Sequence, residues 1–111
     1  MSEAQLSEAN FIHINENEFK LSGNLTTQTV GYLLKDETKK FVDCIKKESD
    51  NKLDINLQEI IKSDSSGIAF IIELIRLAHT YHKEIIFHNV PEQMLAIAKL
   101  SSVDELLLNK K

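Results

Sequence analysis

Apolar and polar residues alternate over Phe11-Ile12-His13-Ile14 and again over Glu18-Phe19-Lys20-Leu21-Ser22-Gly23. A period of two marks a half-buried strand, because successive side chains point to opposite faces of a sheet. Asn15-Glu16-Asn17 between them has turn chemistry, so the two stretches predict an opening hairpin. From Thr27 to about Glu48 the period changes. Val30, Leu33, Leu34, Phe41 and Ile45 keep helical spacing, and Asp36 stands four residues before Lys40. After the polar loop Glu48–Lys52, the alternation Leu53-Asp54-Ile55-Asn56-Leu57 predicts a strand, and Glu84-Ile85-Ile86-Phe87-His88 another. Asn89-Val90-Pro91 fits a cap with Pro in the first turn of a helix running through Leu100. Ser102 and Glu105 have capping-box spacing ahead of Leu106-Leu107-Leu108. Strands alternating with helices predict crossover connections, hence an α/β domain with a mixed, partly parallel sheet. Residues 1–10 are expected to be a loose tail and residues 11–111 a single domain.

The remaining stretch, from Asn56 to Tyr81, organises the rest. It predicts a strand end, a polar turn Ser63-Asp64-Ser65-Ser66-Gly67, and then a very apolar helix. Asp64 and Ser65 are both good N-cap residues, since a short side-chain oxygen can accept from the free N–H groups of a first helical turn. At 100° per residue, Ile68, Ile71, Ile72, Ile75 and Ala78 form a sheet-packing stripe. Phe70, Leu74, Leu77 and Tyr81 form a second row beside it, leaving only a narrow polar strip of Glu73, Arg76 and Thr80 with small Ala69. A surface helix needs an apolar arc of about 100°, and this one has roughly twice that. The expectation is that Ser63, Asp64, Ser65, Ser66 and Gly67, with Phe70, Leu74 and Leu77, dock on another protein. Ser65 is the candidate phospho-acceptor or interface hydroxyl. A helix start tolerates phosphate, yet the added charge would fall at the rim of an apolar docking face.

Composition narrows the function classes. A chain of 111 residues builds one modest core. A net charge of −4 argues against non-specific nucleic-acid binding, which needs a basic footprint. Cys44 is the only cysteine, so no disulfide framework exists, and its helical setting predicts a packing role. No signal-peptide pattern or membrane-length apolar run is present, which predicts a cytoplasmic protein. Gly23, Gly31 and Gly67 are too scattered for a P-loop or dinucleotide fingerprint. His79, His82 and His88 lack a converging ligand set for zinc, and no metal or cofactor is expected. Ser65, His88 and Asp64 do not have the spacing of a catalytic triad. The expectation is a binding protein rather than an enzyme.

Three segments carry a family resemblance. Ile55-Asn56-Leu57 followed by Ser63-Asp64-Ser65-Ser66-Gly67-Ile68-Ala69 resembles the strand-turn-helix signature of STAS domains, the fold of bacterial anti-sigma-factor antagonists. Lys20-Leu21-Ser22-Gly23-Asn24-Leu25-Thr26 is similar to the family's hairpin exit. Phe87-His88-Asn89-Val90-Pro91 with Ala96 to Leu107 is similar to its C-terminal part. Glu73-Leu74-Ile75-Arg76-Leu77-Ala78 and Ala98-Lys99-Leu100 carry a narrower likeness to the STAS subunits of Mla-type phospholipid-transport ABC complexes. The resemblance implies a STAS fold with helices mainly on one sheet face. It also implies binding to an ABC transporter ATPase subunit, beside a permease that maintains outer-membrane lipid asymmetry, and so a cytoplasmic place peripheral to the inner membrane. The other role it implies is an anti-sigma-factor antagonist, phosphorylated on Ser65 by an anti-sigma factor kinase. Asn56 stands where the family has a strand aspartate, and Ser63 where an apolar residue is common. Loss of that carboxylate fits constitutive binding better than kinase-controlled binding.

Overall fold

The computed structural model describes residues 8–47 and 50–108. The opening alternation forms β1 (Ala9–Asn15) and β2 (Glu18–Leu25), paired antiparallel across Glu16-Asn17. β1 starts inside the stretch expected as tail, because Ala9 is buried and pairs with Gly23; residues 1–7 lie outside the described residues. The outer side of that pairing is closed by Tyr32, whose hydroxyl accepts from the Ala9 N–H at 2.8 Å and donates to the Ala9 carbonyl. Gly23 has φ +90°, and a Cβ there would collide with the Glu8 carbonyl. The close strand approach therefore requires glycine.

The long helix expected over Thr27–Glu48 is interrupted. Helix α1 (Thr27–Tyr32) passes through a π-helical turn at Leu33–Glu37 into α2 (Thr38–Lys47), and Glu48 lies outside the described residues. Val30, Leu33, Phe41 and Ile45 are buried. At 100° per residue an unbroken α-helix would place Leu34 inside the arc of these four, and the wider π turn changes the angular offset just after Leu33. Leu34, expected on that face, is displaced to the surface.

β3 (Lys52–Ser63) lies parallel beside β2, and β4 (Glu84–His88) parallel beside β3, giving the order β1-β2-β3-β4. β3 runs past the expected Leu57. Register shifts between Lys20 and Ser22, and between Gly23 and Asn24 of β2, break the period of two while pairing continues to Leu25–Ser63. Phe19, Leu21, Leu25, Leu53, Ile55, Leu57, Ile85 and Phe87 are buried on one face. Lys20, Asp54, Asn56, Ile86 and His88 lie on the other, exposed or half-buried. The helices pack on the first face, with α3 (Ser65–Thr80) and α4 (Glu92–Leu100) bearing directly on the strands. Two capping expectations are corrected. Pro91, not Asn89, occupies the N-cap of α4, since Asn89 takes a left-handed φ of 56°. Ser102 has φ 59°, and Val103 is the N-cap of α5 (Asp104–Leu107), so the Ser102–Glu105 box does not form. Cys44 is half-buried against the core, its Sγ 3.6 Å from His13 Nδ1.

Candidate functional site

The polar turn sits where three elements meet. Ser63 ends β3 and is buried, its N–H donating to Gln93 Oε1 at 3.3 Å. The Asp64 N–H donates to the Leu25 carbonyl at 3.3 Å, which ties the turn to the end of β2. Asp64 alone is the N-cap of α3. Its Oδ1 accepts from the Ser66 and Gly67 N–H groups at 2.9 and 3.3 Å, satisfying donors that a helix start leaves free. Ser65, read from sequence as an alternative cap, is the first residue of the helix.

The second Asp64 oxygen does a separate job. Oδ2 accepts from the Thr27 N–H at 3.1 Å and from the Thr27 hydroxyl at 3.3 Å, so one carboxylate joins the starts of α3 and α1. Thr27 Oγ1 also lies 2.9 Å from Ser66 Oγ. Burial pushes the Asp64 carboxyl up. The hydrogen bonds from Thr27, Gly67 and Ser66 together outweigh that and hold it below the ordinary aspartate range. Gly67 packs at the crossing point, where a Cβ would collide with the Leu25 carbonyl and with Ser63 Oγ. The Ser65 side chain is exposed and takes no hydrogen-bond partner among the described residues. Thr26, Thr27, Gln28, Lys62 and Asp64 line a shallow cleft at this corner.

The structure separates the expected docking residues into two groups. The turn residues come together as expected, but Phe70 and Leu74 are fully buried. Helix α3 has the sheet beneath it, α1 and α2 on one flank and α4 on the other. Its buried arc, Gly67, Ile68, Phe70, Ile71, Leu74 and Ala78, therefore bridges the two predicted rows. The Phe70 ring meets Phe11 edge-on at 6.4 Å, and Phe11 in turn packs on Phe19 and Phe41. β1 and α2 thus cover the row that was expected to await a partner. Leu77 is half-buried, and Ile72, expected to face the sheet, is 37% exposed.

The exposed positions of α3 are Ser65, Ala69, Ile72, Arg76, His79 and Thr80; the first four, spaced four, three and four apart, stack on one face that runs on to the last two. The sequence reading has Ala69, Arg76 and Thr80 on the polar strip and Ser65 at the exposed turn, but it missed Ile72, which it put on the sheet-packing stripe. It also missed Thr27, which sits 37 residues from Asp64 and offers no local signal. Among the described residues no group of three or more His, Cys, Asp or Glu side chains could hold a metal ion. His88 Nε2 lies 2.7 Å from Asp54 Oδ1, so its partner is Asp54 rather than Ser65 or Asp64.

Comparison with known proteins agrees with this fold. No curated protein sequence matches the chain closely enough to count as a relative. A solved structure of the anti-sigma factor antagonist SpoIIAA in its unphosphorylated form is similar over 90% of this chain and 85% of its own. Its TM-score is 0.64 at 13% identity, a likeness of fold. A family model described as the MlaB STAS domain matches residues 13–109. The chain belongs to the STAS domain family.

Proposed function

We propose that this protein is an MlaB-like regulatory subunit, which binds the ATPase of an ABC phospholipid transporter and stabilises or activates it. STAS domains are regulatory binding domains that act through partner proteins. The observation that carries the reading is the Asp64-clamped turn leading into the open strip Ser65, Ala69, Ile72 and Arg76. Asp64 fixes two helix starts against each other, so the turn presents a pre-organised surface and loses little freedom on docking. The strip offers one apolar contact, Ile72, between a small hydroxyl and an Arg76–Glu73 pair at 2.6 Å.

The exposed, unpartnered hydroxyl of Ser65 favours one second reading, an anti-sigma-factor antagonist phosphorylated there by a kinase. A phosphate on Ser65 would sit beside the Asp64 carboxylate and add almost two charges to the docking face. One experiment separates the two. Tagged protein is purified from its native host in mild detergent, and the co-purifying chains are identified by mass spectrometry. An ABC ATPase with its permease is the expected catch. A kinase-like anti-sigma factor with phosphate on Ser65 would replace this reading with the second.

A further inference from the structure

β1 is an edge strand of the sheet, and two contacts fix the direction of its backbone groups. The Glu8 carbonyl turns inward and accepts from the Asn24 N–H at 2.8 Å. Both backbone groups of Ala9 turn outward, to the Tyr32 hydroxyl. Residues of an antiparallel strand alternate in this way, and the register with β2 is unbroken from Ala9 to His13. The N–H and C=O groups of Phe11 and His13 therefore point out of the sheet edge, and no described residue pairs with them. Native edges are guarded against pairing by charged residues, prolines or bulges. β1, Ala9-Asn10-Phe11-Ile12-His13-Ile14-Asn15, has no Asp, Glu, Lys, Arg or Pro. Only its ends are guarded, by Tyr32 on Ala9 and by the register shift between His13 and Asn15. Beside the unguarded middle, a cleft of about 250 Å³ opens between β1 and α2, with Phe11, His13, Phe41 and Cys44 in its lining.

We infer that β1 pairs antiparallel with β1 of a second copy of this chain, about a two-fold axis at Ile12. The symmetry of the edge selects this occupant. Its guarded ends, Ala9 and Asn15, lie equally far from Ile12 along the chain, so one self-paired register opposes them and leaves the open groups between. In that register Phe11 of each copy faces His13 of the other, and each pair exchanges both N–H···O bonds. Composition points the same way. An uncharged, β-prone segment meets its own image without opposing like charges, in a chain whose net charge is −4. Side chains fit on both faces. Ile12, 41% exposed, meets Ile12 of the second copy on the bare sheet face, where Asn10 lies opposite Ile14. On the helix face the cleft leaves room for a His13 ring beside Phe11. One short strand pair buries less than the roughly 1,000 Å² of a stable complex, so the dimer depends on concentration. The inference does not depend on the docking reading, whose residues lie at the turn and on α3.

The test follows the mass of the full chain by sedimentation equilibrium as its concentration rises, with amide hydrogen exchange by NMR at low and high concentration. A monomer–dimer equilibrium is expected, with exchange of the Phe11 and His13 amides slowing several-fold in the dimer. His13→Pro removes an outward N–H and keeps the ladder between β1 and β2, so the chain should fold and the dimer be lost. Ile12→Glu faces Lys20 within the fold but sets two carboxylates against each other across the axis. It should weaken the dimer several-fold, and less so at high salt. A monomer at every concentration overturns the inference. A dimer that Ile12→Glu leaves at full strength also overturns it, whether or not His13→Pro folds. Edge amides protected only when another protein binds would give the edge to that partner's strand, and self-pairing would fall.

Discussion

Asp64 shows how much one side chain decides. Its two oxygens accept four hydrogen bonds from two helix starts, and the partners lie both next to it and 37 residues away. Because these bonds favour the carboxylate, its folded pKa is held below the unfolded value of about 3.9. A group depressed in this way contributes stability that is fully present above the unfolded pKa and lost as pH falls through the folded one. Acid unfolding of the wild type is therefore expected to steepen below about pH 4. In Asp64→Asn, which keeps a capping oxygen but does not titrate, stability should be lower near neutral pH and flatter across that window. Carboxyl titration by NMR checks the cause directly. A folded Asp64 pKa at or above the unfolded value would contradict it.

At the scale of elements, α3 is a nearly buried helix with a single open face. The apolar arc that exceeds an ordinary surface helix is consumed within the domain by the sheet below and by helices on both flanks. Phe70 and Leu74 are therefore core residues, and their truncation is a stability experiment. Leu74→Ala should cost about 2–5 kcal/mol of unfolding free energy, and Phe70→Ala about 3–5 kcal/mol, measured by urea denaturation. Values under roughly 1 kcal/mol would mean that the row is exposed after all. The π-helical turn acts at the same scale. It changes the angular offset after Leu33, so that Phe41 and Ile45 are buried with Val30 and Leu33 while Leu34 stays outside.

For the whole molecule, the arrangement separates the residues that hold the fold from those that can meet a partner. No helix among the described residues is long and apolar enough to cross a membrane. Substitutions on the open strip should then leave folding alone and change docking. Ile72→Asp is expected to shift the urea midpoint little while weakening ATPase binding by about tenfold. Loss of folding without a change in binding per folded molecule would place Ile72 among the core residues.

Periodicity was enough to place the hairpin strands, the start of β3, β4 and the central helix, since strand and helix periods are local properties of the chain, and the alternation of strands with helices gave a partly parallel sheet. The capping chemistry of Asp64 was equally legible, because a short side-chain oxygen serves the local N–H groups of Ser66 and Gly67; the close approach of Gly67 to Leu25 was not. What sequence could not reach was which of two apolar rows on α3 faces inward. That depends on how many neighbours surround the helix, and the answer is three sides, not one. Nor could it reach the bond between Asp64 and Thr27, the full length of β3, or the pairing of Val42 with Leu77 across a cleft. These are contacts between segments far apart in the chain, and only packing brings them together. Local hydrogen bonding and side-chain period were written in the sequence. The choice of exposed surface was made by the tertiary structure.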